Sequence, residues 1–338
     1  MKVTTIGLDI AKSVFQIHGV DQAGNIALQR KLRRSEVIPF FSKLEPCLVG
    51  IEACHSSHFW GRELLAMGHD VRLIPTQYVK PFVLGGKNDA NDAAAICVAV
   101  TRPGIHFVPV KSAQQQAIQS LHRMRQRLIH ERTAKSNQIR SMFAEEGVIF
   151  AVGMIRLRQG IVALVHDAEA RITPVLKQLG SMYLDQMDAL GKWLSDIDHQ
   201  LATIFDSTPA CRQLALIPGI GPVIATAMVG TTGDPTQFKN GRQFAAWLGL
   251  TPRQRSSGGK TQLGRITKRG DTYLRTLLVQ GACAVMRFIA RHDDRHSRWI
   301  KSLMQRRHKN IAAIALANKT ARIAWAVLTH HTSYRVIP

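Results

Sequence analysis

The first 110 residues open on three short apolar runs in succession, and that beginning leaves few folds available. Val3 to Leu8, Val14 to Val20 and Ile26 to Arg30 read as strands, with Asp21-Gln22-Ala23-Gly24-Asn25 as the turn before the third. Ser35 to Leu44 then looks helical, and Cys47 to Ile51 is a buried strand. Phe59 to Met67 is a helix ending at Gly68, and Val71 to Ile74 a strand stopped by Pro75. Gly85-Gly86 loosens the approach to a further helix that starts near Asp89 and runs to about Thr101. Three antiparallel strands followed by alternating helices and strands predict an α/β domain over residues 1–110.

Four acids fall at the ends of these elements. Asp9 closes the first strand in Gly7-Leu8-Asp9-Ile10-Ala11-Lys12, and Glu52 follows the fourth in Val49-Gly50-Ile51-Glu52-Ala53. Asp89 and Asp92 are three residues apart, so they share one face of a helix's first turn. Carboxylates that converge repel one another unless a cation lies between them. Hard oxygen ligands point to Mg²⁺ or Mn²⁺, ions that usually serve phosphate chemistry. Any one of these acids alone reads equally well as a solvated side chain or a helix cap.

Charge divides the chain. Overall it carries 45 Lys and Arg against 23 Asp and Glu, a net +22, which implies a polyanionic partner, most often nucleic acid. Residues 251–338 hold 18 of those cations and three of the acids, whereas residues 1–110 are nearly balanced. One part is therefore expected to hold a nucleic-acid backbone and another to act on it. The five cysteines are scattered without a CxxC pair, which suggests a reduced, cytoplasmic protein without a zinc knuckle. Cys54, His55 and His58 lack a fourth soft-metal ligand at a suitable spacing. Asp9 and Lys12 interrupt the apolar opening, so no signal peptide is read, and no apolar run approaches the ~20 residues of a membrane span.

Residues 113–145 contain neither Gly nor Pro and predict one long helix. A second is predicted by the 3-4-3-4-3 spacing of Met187, Leu190, Leu194, Ile197, Leu201 and Ile204. This helical middle, residues 111–210, reads either as an antiparallel hairpin within the chain or as a dimerisation arm. In the basic domain, 211–338, Ile217-Pro218-Gly219-Ile220-Gly221-Pro222 leads into the apolar Val223 to Val229. That is the pattern of a helix-hairpin-helix, in which Gly219 and Gly221 would let backbone N–H groups approach a phosphate; a plain helix–turn–helix connection fits as well.

Gln243 to Leu250 reads as a helix, and Arg253-Gln254-Arg255-Ser256-Ser257-Gly258-Gly259-Lys260 as a flexible basic loop. Basic helices follow around Arg275–Arg291 and Ser297–His308. In the second, Trp299, Ile300, Leu303 and Met304 form the apolar stripe and Arg298, Lys301, Arg306 and Arg307 are left to face phosphates. Gly259-Lys260-Thr261 is not a nucleotide-binding P-loop, because position 254 is Gln where Gly is required. Ser256 or Ser257 is either a phosphate-binding hydroxyl or a nucleophile for a phosphodiester. In the second case Arg253, Arg255 and Lys260 would stabilise the charge that develops.

Taken together, these blocks resemble the DEDD transposases of insertion sequences of the one-hundred-and-ten type, which include Piv-like DNA invertases. The resemblance spans nearly the whole chain and adds Lys87-Asn88-Asp89-Ala90-Asn91-Asp92-Ala93 and Phe244-Ala245-Ala246-Trp247-Leu248-Gly249-Leu250-Thr251-Pro252 to the motifs above. It implies an RNase H-like, RuvC-like N-terminal domain in which Asp9, Glu52, Asp89 and Asp92 bind metal. It places a nucleophilic serine on Ser257, with Ser256 adjacent in Arg-Ser-Ser-Gly-Gly, where the family commonly has another residue before the serine. It further implies a covalent phosphoserine link to DNA, an active site completed by a partner subunit in a dimer or tetramer, and a structured non-coding guide RNA from the element. Competing readings are a RuvC-like nuclease in which metals activate water, and a nucleic-acid-binding protein without activity. An actin-like ATPase is disfavoured because Ile10-Ala11 follow Asp9 where Asp-x-Gly is usual.

Overall fold

A computed structural model of the chain describes residues 2–85 and 88–335. Gly86 and Lys87, read above as part of the approach to the Asp89 helix, lie outside the described residues. The chain divides into two compact units, with the boundary between Gln116 and Ala117.

The first unit is built on strands β1 (Thr5–Ile10), β2 (Val14–Val20), β3 (Ile26–Arg33), β4 (Leu48–Glu52) and β5 (Asp70–Ile74). Their order is β3-β2-β1-β4-β5. β1 to β3 run antiparallel, as tight turns allow, while β4 and β5 lie parallel to β1. The helices are α1 (Val37–Phe41), α2 (Ser57–Ala66), α3 (Thr76–Val79) and α4 (Asp89–Val100). Alternate residues point to opposite faces of a strand. Ile6, Leu8, Val49 and Ile51 accordingly pack with Phe41, Trp60 and Leu64 of α1 and α2 on one side.

Gly7 and Gly50 occupy the other face and sit directly opposite each other across β1 and β4. With no side chains there, α4 lies almost on the backbone: a Cβ on Gly7 would fall 2.1 Å from the Ala93 carbonyl oxygen, and one on Gly50 2.7 Å from Val100 Cβ. Ile96, Ala99 and Val100 of α4 fill the core beside it. The Asn88 side chain accepts a hydrogen bond from the Ala90 N–H and fixes where α4 begins.

The second unit contains most of α5 (Ala113–Ala144), then α6 (Met154–His166) and α7 (Pro174–Ser207). Leu190, Leu194, Ile197 and Leu201 of α7 close on Leu128 of α5. Arg125 meets Asp198, Lys135 meets Gln186 and Ser136 meets Tyr183, so numbers rise along one helix as they fall along the other. The apolar seam is thus used in an antiparallel hairpin within the chain. The sequence reading passed over α6, whose Leu157 and Ile161 pack on Ile139, Phe143 and Tyr183.

Helices α8 (Pro209–Ala215), α9 (Pro222–Thr232), α10 (Gly241–Trp247), α11 (Thr272–Phe288), α12 (Arg295–Arg306) and α13 (Lys309–His330) surround the largest core, with strands β6 (Pro252–Ser257) and β7 (Lys260–Ile266) between α10 and α11. Helix α13 was not anticipated. Its window Lys309–His330, like Thr272–Arg291 around α11, is long and apolar enough by composition to cross a membrane. Here Leu274, Leu278, Leu316 and Ala321 of the two helices lie in the common core. Arg275, read as part of a basic helix, is buried and donates to the carbonyls of Leu248 and Arg269. It satisfies the end of α10 and is not available to a phosphate.

Candidate active site

Because residues two apart on a strand share a face, Asp9 lies on the α4 side of the sheet with Gly7, and Glu52 with Gly50. The parallel pairing of Leu8 with Ile51 brings the two acids to the same end of the sheet. Helix α4 seats on the paired glycines and begins at that same end, with Asp89 and Asp92 in its first turn. A Gly-x-acid pattern thus occurs twice, the glycine admitting the helix and, in the first case, the acid Asp9 meeting Asp89 and Asp92 at its N-terminus.

The electrostatics agree with this placement. Asp9 is half-buried, and its carboxyl is pushed up to about 6, first by desolvation and then by the charges of Asp89, Asp92 and Glu52. Asp9 therefore feels the other three acids. No group of three or more His, Cys, Asp or Glu among the described residues is arranged to hold a metal ion. Carboxylate oxygens on two strand ends and a helix start have the hard-donor chemistry that suits a divalent ion such as Mg²⁺. Cys54 is a poor soft-metal ligand here, its thiol raised to about 11 by burial and by Glu52 and Asp9. His58 accepts a hydrogen bond from the Lys111 N–H.

The serines lie in the second unit. The expected flexible loop is an antiparallel hairpin, with Ser257 paired to Lys260 and Ser256 to Thr261. Gly258 and Gly259 have φ of 55° and 75°, the two positive values that a two-residue hairpin turn demands. That Gly-Gly was the available signal, but it was obscured by strands exposed at nearly every position. Directly paired residues share a face, so Ser257 stands with Lys260 and, two positions back, with Arg255. Ser256 points the other way and accepts a hydrogen bond from Gln254 at 2.8 Å. Arg253 donates to the Thr267 carbonyl at the foot of the hairpin.

The remaining candidates scatter over the second unit. Gly219 has φ 87° and forms the turn between α8 and α9, but this turn is pressed onto α11: a Cβ on Gly281 would lie 2.2 Å from the Gly219 carbonyl oxygen. Gly221 caps α9 and is exposed. On α12, Arg298 and Lys301 are each 3.6 Å from Asp293, so neither is as free as the sequence suggested. Arg306 and Arg307 at its end are exposed. The sequence reading missed Gly50 as the seat of α4, and the cations on α10, β7 and α13 described below.

A carboxylate cluster on the first unit and an exposed basic hairpin on the second define a protein that acts on nucleic-acid phosphates. Residues 6–146 match the DEDD transposase domain named for insertion sequence IS110, and residues 211–297 match the transposase family IS116/IS110/IS902. The chain is 48% identical over 99% of both lengths to the “Probable family 20 transposase” of Pseudomonas aeruginosa. It is 37% identical to the transposase of insertion sequence element IS1111A of Coxiella burnetii, covering 98% of this chain and 92% of that one. The transposase of element IS1328 of Yersinia enterocolitica is also 37% identical, with 98% of each chain covered. The protein belongs to the IS110/IS116/IS902 family of insertion-sequence transposases, enzymes that transfer DNA strands, and its DEDD domain implies a divalent metal ion.

Proposed function

We propose that this transposase exchanges DNA strands through a covalent link between Ser257 and a DNA phosphate, in an active site completed by Mg²⁺ or Mn²⁺ held by Asp9, Glu52, Asp89 and Asp92 of a partner subunit. The observation that carries the proposal is the half-buried Asp9, raised by burial and by the charges of Asp89, Asp92 and Glu52 beside it. The strand order of the first unit, with its two parallel additions, supports an RNase H-like, RuvC-like domain for residues 1–110. On this reading residues 111–210 are the helical spacer and 211–338 the serine-bearing domain.

When bound, the cation would offset the charge of the reacting phosphate. The residues of the chain do the rest. The Ser257 oxygen loses its proton and bonds to phosphorus while one sugar oxygen leaves and takes up a proton. Attack by the sugar hydroxyl of a second strand then restores a phosphodiester and returns the proton to Ser257. One phosphate ester replaces another at each step, so no external energy source is needed. Arg255 and Lys260 share the Ser257 face and are placed to stabilise the extra negative charge at phosphorus; Arg253 holds the foot of the hairpin. Ser257 is favoured over Ser256 because only its face carries those cations.

Gly219, Gly221, Arg298, Lys301, Arg306 and Arg307 would contact backbone phosphates. A structured guide RNA and assembly into a dimer or tetramer complete the reading, with action in the cytoplasm. The test is a denaturing gel of protein, Mg²⁺, element-junction DNA and flanking RNA, comparing wild type with Ser256→Ala and Ser257→Ala. A labelled adduct lost only in Ser257→Ala is expected. DNA cut without an adduct and indifferent to both serines would replace this mechanism with metal-activated water.

A further inference from the structure

A large cavity lies in the second unit, well away in sequence from the acids. It is an open groove of about 1640 Å³ floored by α13 and walled by β7, the start of α10 and Trp299 of α12. Two kinds of surface meet in it. Ile311, Ile314, Ile323, Trp299 and Trp325 make an apolar floor, and Ile311 is 54% exposed. Arg242, Arg265, Lys268, Lys319 and Arg322 surround it, and no acidic side chain lines it. Among the described residues none of these five cations is in a salt bridge.

The cations crowd one another, and Asp294 offsets this only in part. Burial and the neighbouring Arg295 and Arg322 hold the Lys319 ammonium below its ordinary range, and its Nζ rests 4.3 Å from the centre of the Trp299 ring. Hydrogen bonds tie the floor to its surroundings: Trp325 donates to the Pro235 carbonyl at 3.0 Å, and Asn318 to that of Leu250 at 3.2 Å.

We propose that this groove binds an unpaired DNA strand, its bases against the apolar floor and its phosphates on Arg242, Arg265, Lys268, Lys319 and Arg322. A duplex offers this groove only its phosphates and sugars, because its base faces are stacked. Only an unpaired strand presents apolar faces and regularly spaced charge together. A second copy of this chain is disfavoured because it brings another +22 to a groove that is already cationic. The foot of the serine hairpin forms one wall, so the groove lies along the element that carries Ser257. The assignment rests on the strand-exchange reading only in its choice of DNA.

Fluorescence anisotropy of full-length protein in EDTA, with labelled oligo-dT and with a duplex of equal length, tests this without any chemistry. Ile311→Glu places an acid on the exposed floor. It is expected to weaken oligo-dT binding at least tenfold and to change duplex binding less than threefold. Lys319→Gln with Arg322→Gln should flatten the salt dependence for oligo-dT by about 1.4 in log–log slope, about 0.7 for each phosphate no longer neutralised. The assay scores binding alone in EDTA, so failure of the covalent mechanism would leave this result standing. Equal losses for single strand and duplex, or no loss in either variant, would overturn the proposal. Oligo-U bound more than tenfold tighter than oligo-dT would assign the groove to RNA instead. A change of mass in light scattering for Ile311→Glu, with oligo-dT affinity unchanged, would make it a self-association face.

Discussion

The acid cluster and the serine hairpin are built by opposite means. Asp9 and Glu52 are fixed by a buried sheet, and Asp89 and Asp92 by a helix that can approach because Gly7 and Gly50 are paired beneath it. Ser257 sits at the tip of two strands whose side chains face water at nearly every position, held by little more than ladder hydrogen bonds and a Gly-Gly turn. An ion-binding site must hold repelling charges in place before the ion arrives, and that requires packing. A nucleophile that reaches for a long polymer needs access, and an exposed hairpin provides it. The difference predicts that substitutions in the packing beneath the acids unsettle the fold of the first unit, whereas those in the hairpin leave global stability unchanged.

The largest effect is expected at Asp9. Asp9→Asn removes a proposed ligand and should lower DNA cleavage by at least ~10³-fold, while DNA binding, measured by gel shift, stays within a few-fold. The same change removes the desolvated charge and the repulsion that together raise the Asp9 carboxyl, so the metal-free protein should melt at a higher temperature than wild type. Loss of activity with a gain in stability is the signature of a charged site. A variant that keeps cleaving would remove Asp9 from it, and one that melts lower would mean Asp9 is chiefly structural.

Gly7→Ala comes next. The added methyl would meet the Ala93 carbonyl oxygen at 2.1 Å and the Cys97 nitrogen at 2.5 Å, both backbone atoms that cannot step aside. Displacing α4 should destabilise the first unit by about 3 kcal/mol and weaken the Mg²⁺ dependence of cleavage together with it. Urea unfolding followed by hydrogen exchange separates the units. Unchanged protection in β1 and α4 would show that the helix is not seated as described.

The acid cluster was legible in the sequence because burial writes itself into strand patterns. Apolar runs ending in Asp9 and Glu52, and an i, i+3 pair at a helix start, specify position without any structure. What could not be read was structure that buries little. The hairpin lacks the apolar alternation by which strands are recognised, so only Gly258-Gly259 marked it. Helix α13 was hidden for the opposite reason: Ala312, Ala313, Leu316, Ala317, Ala321 and Ala324 are buried, but alanine-rich faces give little contrast against the other side. Arg275 shows a further limit, since composition counts a buried, carbonyl-bound arginine the same as one that faces DNA.

The two units should also respond to pH with opposite signs. Asp9 has a folded value of about 6, above its ordinary 3.8, so the folded state binds its proton more tightly. Its contribution is therefore most favourable below about 4 and declines as pH rises through 6, where an added divalent cation should restore it. In the second unit, His122 of α5 is buried between Tyr273 of α11 and Thr226 of α9 and is lowered from 6.5 to about 4 by desolvation and by Arg125. Its contribution is complete above about 6.5 and is lost as pH falls toward 4. Hydrogen exchange of metal-free protein between pH 4 and 7 should show α4 losing protection relative to α9 as pH rises. Parallel trends in both helices would contradict the opposed titrations.

The smallest effect is expected at the hairpin turn. A methyl on Gly258 meets nothing within 4 Å, but the residue sits at φ 55°, where an L side chain is strained. Gly258→Ala should weaken the turn by about 1 kcal/mol, leave the global melting temperature unchanged and lower adduct formation less than tenfold. Adduct formation lost as completely as in Ser257→Ala, with the melt unaltered, would mean that the turn's geometry is itself part of the reaction. The hairpin would then be as preorganised as the acid cluster, its order residing in two glycines instead of a core.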